Sequence, residues 1–368
     1  VLTVAVSVSS AVVTLGSVVP FVAEHRVVVA VVAVAVLTTL NLRGMRASGP
    51  AFAAPAYGFI IAVAGMVLAG LVRIFVLGHD LRAPSADLEL RATEEVTGFA
   101  LAFLLLRAFS SGCAALTGVE AIANKVPTFK PPKSRNARAT LLTLGLVAAA
   151  LLAGVIWLAH LTGLQYVEDP ARQISGADDY VQRAVLVQLG DAVFGAGSPL
   201  VLIVAVATTL ILLLAANSVF TGFPMLGSVL AQDRYLPRQF RNRGDRLAFS
   251  NGILFLAAFA VVLIVAFDAA VTPLIQLYLV GVFVSFTLSQ AGMIRHWSRL
   301  LGTMRDPQLR RRMRRSRAVN SFGAVLTGVL INGLTMLHVQ YYTTDIIKGA
   351  VLVLALAVTF IHLNRKKA

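Results

Sequence analysis

The chain has 368 residues, 58% of them hydrophobic and 13% charged, with a mean hydropathy of +0.81 and a formal net charge of +15. A soluble domain carries about 25% charged residues, so this composition excludes an ordinary water-soluble fold. The single cysteine, Cys113, excludes an internal disulfide and a cysteine-built metal site. Without a Walker motif, a nucleophile elbow or HExxH, ATP-driven transport and the common hydrolases have no support either.

Apolar runs near or above the ~18 residues needed to cross hydrocarbon recur from end to end. They read as an all-α polytopic membrane protein with about ten transmembrane helices. Val1–Pro20 is the first span. Its Thr3, Ser7, Ser10, Thr14 and Ser17 are spaced four, three, four and three apart, which places them on one helix face. A hydroxyl stripe of this kind either offers oxygens to a hard cation or forms a close-packing seam against another helix. Val27–Leu42 is a Val/Ala-rich span without the alternation of a barrel strand, and a basic turn with Arg43 and Arg46 follows it. Phe52–Val76 is the third span, and Leu77–Glu95 an acidic loop.

Phe99–Asn124 (FALAFLLLRAFSSGCAALTGVEAIAN) is the most informative stretch. It begins as an apolar helix, then meets Arg107, Ser110, Ser111, Gly112, Gly118 and Glu120. Ionisable groups at bilayer depth are costly and mark pathways. Glycine and serine in mid-span suit a broken helix, the device with which secondary transporters bind substrates and ions at the midplane. The competing reading is a helix packed closely through its small residues, with Glu120 solvated at the headgroups. Glu120 lies one turn beyond Thr117, on the same helix face. A carboxylate in a partly desolvated cavity would hold a proton when a cation is absent and release it when one is bound, a route to symport. The alternative is a weak interfacial pair with Lys125.

A Pro- and Lys/Arg-rich loop, Lys125–Arg138, leads to the span Ala139–Leu164. The acidic loop Asp169–Gly197 holds an amphipathic segment, Tyr180–Phe194, expected to lie at the outer interface. Pro199–Phe220 spans again, and Phe223–Phe240 reads as a short surface helix followed by a basic link. Leu247–Phe267 and Val271–Ile294 form a pair, the second carrying Tyr278, Gly281, Ser285 and Ser289 on roughly one face. Arg295–Arg317 is a strongly basic loop, and Val319–Leu337 and Asp345–Leu363 are the last spans.

Alternating the loops puts twenty-four basic residues on one side and seven on the other, with most acidic residues on the second. By the positive-inside rule the first side is cytoplasmic, so Val1 enters from the cytoplasm and Ala368 ends there. The run Arg310–Arg315 is then a topology determinant that touches anionic lipid; nucleic acid is not an expected partner. Neither initiator methionine nor signal peptide precedes Val1, which reads as a fragment.

The words SSGCAALTGVEAIANKVPTFKPPKSRNARATL, NLRGMRASG and AQDRYLPRQFRNRGDRLAFSNGI resemble the amino acid–polyamine–organocation permease superfamily, most of all its KimA-type branch of potassium–proton symporters. The likeness covers essentially the whole chain. It implies a single permease domain over 1–368 with the five-plus-five inverted-repeat (LeuT-like) core, of which this chain resembles helices three to twelve. Val1 then falls at the start of the family's third helix, and the 99–124 stretch is its sixth. The resemblance implies cation ligands at Thr3 and Ser7, a hydroxyl ligand and a transport carboxylate at Thr117 and Glu120 of the TGVE motif, and an aromatic at Tyr278. Ser111, in the break, is a further candidate ligand. The family's first two helices, an acidic residue before the third, and the large cytosolic domain of some members have no counterpart here, which implies that half of the binding site is missing. The expected partners are potassium (or an amino acid), a proton and the bilayer of the plasma membrane. A homodimer is compatible with the resemblance, and neither a cofactor, an enzymatic activity nor a resident metal is expected. An amino-acid permease and a truncated, non-transporting remnant stay open as alternatives. Some sixty to eighty in-frame residues upstream, enough for two spans at ~20 each plus loops, would decide against the remnant.

Overall fold

The computed structural model describes residues 1–44, 49–89, 129–167, 181–240, 250–304 and 306–336, with isolated positions between them. Every expected span within these ranges is a helix: α1 (Leu2–Gly16), α3 (Arg26–Leu42), α4 (Gly49–Phe75), α5 (Lys133–Leu161), α7 (Pro199–Gln232), α8 (Ser250–Ala266), α9 (Val271–Thr303) and α10 (Pro307–Met336). Two short helices join them, α2 (Pro20–Glu24) and α6 (Val185–Phe194). The expected span at 345–363 lies outside the described residues, and so does that at 99–124 apart from four isolated helical positions, Leu101, Leu105, Ala108 and Gly112.

Among the described residues, four helices are long and apolar enough to cross a membrane: Ala53–Phe75 within α4, then α5, α7 and α9. Large apolar side chains point outward on α4 (Ile61, Leu68), α5 (Leu146, Ile156) and α7 (Leu202, Ile203). A helix that is apolar on its exposed face as well as its packed one is written for lipid rather than water.

Residues 1–94 with 125–274 form one compact unit, and 95–124 with 275–368 a second. In the first, α7 packs against α1, α3, α4, α6 and α8. One core, shared by α1, α3, α7 and α8, closes around Val4, Val8, Val34, Phe220, Leu256 and Ile264. Another, between α4, α5, α6 and α7, closes around Met66, Leu158, Leu189, Val193 and Val204. The loops after α4 and α5 are tied together: Ala83 N–H donates to Thr162 O at 2.9 Å and Gln165 N–H to Ser85 Oγ at 3.1 Å. In the second unit, α9 and α10 meet through polar side chains. Trp297 Nε1 donates to Asn320 Oδ1 at 3.1 Å, Asn320 Nδ2 donates to Gln290 Oε1, and the hydroxyls of Thr287 and Thr327 lie 2.7 Å apart.

Three expectations change. The surface helix expected from Phe223 is the continuation of α7, which runs unbroken to Gln232. At 1.5 Å per residue its 34 residues measure about 51 Å, well beyond a hydrocarbon core of ~30 Å. Pro224 sits inside it without ending it, and the hydroxyls of Ser218 and Thr221 bond back to Ala215 O and Ser218 O just before the proline. The basic loop Arg295–Arg317 is largely helical, divided between α9 and α10. The amphipathic segment is helical only over Val185–Phe194, and it does not lie flat on a surface: Val187, Gln188, Leu189, Gly190, Asp191 and Val193 are all buried.

Candidate functional site

The hydroxyl stripe of α1 is where the expected cation ligands can be seen. Ser7 and Thr14 are buried, and Thr3, Ser10 and Ser17 are half-buried. The stripe divides in two. Thr14 Oγ1 donates to Ser10 O at 2.8 Å and Ser17 Oγ to Val13 O at 2.9 Å, so both spend their proton on their own helix. Thr3 Oγ1 and Ser7 Oγ make no hydrogen bond among the described residues. Ser9, fully buried on the other side of α1, also has an Oγ without a partner among the described residues.

The helix that backs α1 is α7. Thr209 Oγ1 lies 2.8 Å from Ala205 O in its own helix and 3.4 Å from Ala11 O of α1. About two turns further along α7, Asn41 of α3 donates from Nδ2 to Asn217 Oδ1 at 2.7 Å. Arg26, at the start of α3, pairs with Asp268 in the turn between α8 and α9, an exposed contact. Nothing in the local sequence around Asn41 or Asn217 signalled that pairing, because the partners are 176 residues apart.

Ser111, Thr117 and Glu120 lie outside the described residues. Tyr278 is half-buried in α9, with Gly281, Ser285 and Ser289 of its expected face exposed. It belongs to the second compact unit, whereas Thr3 and Ser7 belong to the first.

The end of α1 holds a polar site that sequence reasoning missed. Arg183, just before α6, donates from Nε and Nη2 to Ser17 O at 2.9 and 2.6 Å, and from Nη1 to Asp191 Oδ2 at 2.5 Å. Ser17 Oγ accepts from Ala184 N–H at 2.9 Å. Burial pushes the Asp191 carboxyl above the ordinary aspartate value, and the Arg183 guanidinium pulls it back part of the way. Arg73 of α4 donates to Val193 O, which fixes the other end of α6.

Two comparisons bear on these helices. The profile of a family described as amino acid permease matches residues 1–361. Potassium transporter KimA of Bacillus subtilis (strain 168) is 42% identical over 297 residues, covering 81% of this chain and 46% of that protein. The chain therefore spans about half the length of this curated relative.

Proposed function

The chain belongs to the amino acid permease family, and from that membership we propose that it is a multi-pass secondary transporter that takes up potassium together with protons. The observation that carries the choice of potassium is the 42% identity to a potassium transporter over 297 residues. In this reading residues 1–368 form one permease domain of ten spans that correspond to helices three to twelve of the five-plus-five fold, with the basic loops and the C-terminus cytoplasmic.

Potassium is a cation that binds to oxygens, and a transient site must replace its water without holding it too tightly. Thr3 and Ser7 offer hydroxyl oxygens that α1 does not use for itself, with Ser111, Thr117 and Tyr278 as further ligands. Glu120 carries the proton. Uptake together requires both to be bound in the state that crosses the membrane, so Glu120 takes up its proton outside, crosses with the cation in place, and gives the proton up on the cytoplasmic side, where the nearby cation lowers its proton affinity. The second reading, amino-acid uptake, is favoured by the family's own description. It needs a pocket of exposed helix N-termini and amides for a carboxylate.

Expression in bacteria lacking their own potassium uptake systems tests the choice. Growth at low potassium and rubidium accumulation that rises with an inward proton gradient are expected. Glu120→Gln should leave the protein in the membrane and abolish the pH dependence. Accumulation of a labelled amino acid without rubidium uptake refutes the potassium reading, and unchanged pH dependence in Glu120→Gln removes that residue from the coupling.

A further inference from the structure

The buried polar face of α6 is not needed by the cation reading, and its hydrogen bonds do not close. Asp191 is 6% exposed and Gln188 1%. They stand three residues apart, so both side chains leave the same face of the helix. Each has one polar end satisfied: Asp191 Oδ2 accepts from Arg183 Nη1 at 2.5 Å, and Gln188 Nε2 donates to Arg183 O at 2.8 Å. The other ends, Asp191 Oδ1 and Gln188 Oε1, are buried without a hydrogen-bond partner among the described residues. Both are acceptors. Two buried acceptors one helical turn apart lack one thing, a donor, and leaving them unpaired costs each its desolvation penalty.

We propose that Asp191 and Gln188 form a proton-binding site, in which the proton sits on Asp191 Oδ1 and is donated to Gln188 Oε1. One proton then satisfies two orphaned oxygens and neutralises a buried carboxylate. Arg183 keeps its two bonds to Ser17 O in either state, so the link from α6 to the end of α1 outlasts the titration.

Among the described residues there are few rivals for that proton. The helices α1 and α7 contain no ionisable side chain. On α4, Arg73 is committed to Val193 O, and Tyr57 lies sixteen residues away, about 24 Å along the helix. On α5, His160 is exposed in the last turn, and Lys133, Arg135 and Arg138 are at the far end of a 29-residue helix. Arg183 is the one charge in contact with the carboxyl among the described residues. It opposes protonation, while burial favours it, and burial is the larger effect.

The sign of the linkage follows. Docked Asp191 binds its proton more tightly than an exposed aspartate does. Protonation therefore stabilises the docking of α6 at low pH, and that contribution is lost as pH rises through the docked-state value. On the orientation proposed above this helix faces outside, so external acid would strengthen its docking.

Infrared difference spectroscopy of the purified full chain, titrated with acid, reads the site directly. A carboxylic-acid C=O band that disappears in Asp191→Asn is expected, with a midpoint above the ordinary aspartate value of about 3.9. If Asp191→Asn does not fold, Asp191→Glu, which keeps the carboxyl but moves its band and midpoint, identifies the same group. Gln188→Met, which removes the acceptor, should move the midpoint down. A band that titrates at or below the ordinary value overturns the site, and a midpoint unmoved in Gln188→Met overturns the role of Gln188. Neither readout depends on transport, so the site stands or falls separately from the potassium reading.

Discussion

Replacing Gly252 by alanine is expected to weaken the seam between α7 and α8, and the size of the effect follows from two distances. A Cβ at Gly252 would lie 3.0 Å from Pro224 Cβ and 3.1 Å from Pro224 Cα. Carbon atoms rest about 3.5–4.0 Å apart, so α8 would have to retreat by roughly half an ångström or more. The obstacle is a proline ring and its backbone rather than the free end of a side chain. The site is also buried, with Ile253 and Leu256 beside it. Small residues let membrane helices approach closely in this way. Overpacking of this kind costs about 1–3 kcal/mol, against which alanine recovers about 0.5–1 kcal/mol of helix propensity. The net loss of about 0.5–2 kcal/mol corresponds, for a chain of 368 residues, to a fall of about 1–3 °C in melting temperature. Tryptophan fluorescence during thermal unfolding in detergent measures it. Gly145→Ala is the control: it is exposed in α5 with no described atom within 4 Å of its added Cβ, so the melting temperature should rise. Gly252→Ala melting at or above the parent, with Gly145→Ala behaving as stated, would refute the close-packing argument.

Two further outcomes are expected. In a protein whose Cys113 has been replaced, a cysteine at Ser134, exposed in the first turn of α5, should resist a membrane-impermeant thiol reagent on intact cells and react once the cells are opened; labelling of intact cells reverses the proposed orientation. A double-mutant cycle on Asn41→Ala and Asn217→Ala should give a coupling of about 0.6 kcal/mol and no more than about 1.7, as interhelical hydrogen bonds in membranes do, and zero coupling would show that the 2.7 Å contact does not hold α3 to α7.

Hydropathy located the described helices because lipid exposure has a length requirement, but it misplaced their ends because it does not measure helix formation. Past Phe220 the residues of α7 grow more polar, which reads as leaving the membrane, yet Met225, Leu226, Leu230 and Gln232 are good helix formers and the helix runs on. The same confusion made a loop of Arg295–Arg317. Arginine is a strong helix former, so the basic residues extend α9 and begin α10 instead of separating them. The signal for the break was present in Asp306-Pro307-Gln308. Asp306 Oδ1 accepts from Gln308 N–H at 2.8 Å, an N-cap, and Pro307 opens α10 where its missing N–H is not needed.

For the candidate sites, periodicity reached as far as a face and no further. The spacing of Thr3, Ser7, Ser10, Thr14 and Ser17 predicts a stripe, but it cannot distinguish a hydroxyl that bonds back to its own helix from one left available; Thr14 and Ser17 turn out to be the first kind. In α6 the apolar period was the very feature that hid the chemistry. The segment VLVQLGDAVF shows its valines and leucines first, and these suggest a helix lying half in a membrane surface. Such a helix would turn Gln188 and Asp191 to water. At ten residues it is about 15 Å long, too short to span, so it can also be buried whole within the protein. Burial then requires a partner for the carboxylate, and Arg183 lies just before the helix, two residues short of its first turn. A lone Gln and Asp three apart in an otherwise apolar ten-residue helix, with an arginine directly upstream, was thus the readable sign of a buried polar site. Which helix end it secures, the carbonyl of Ser17 at a separation of 166 residues, is a matter of tertiary packing that no local pattern carries.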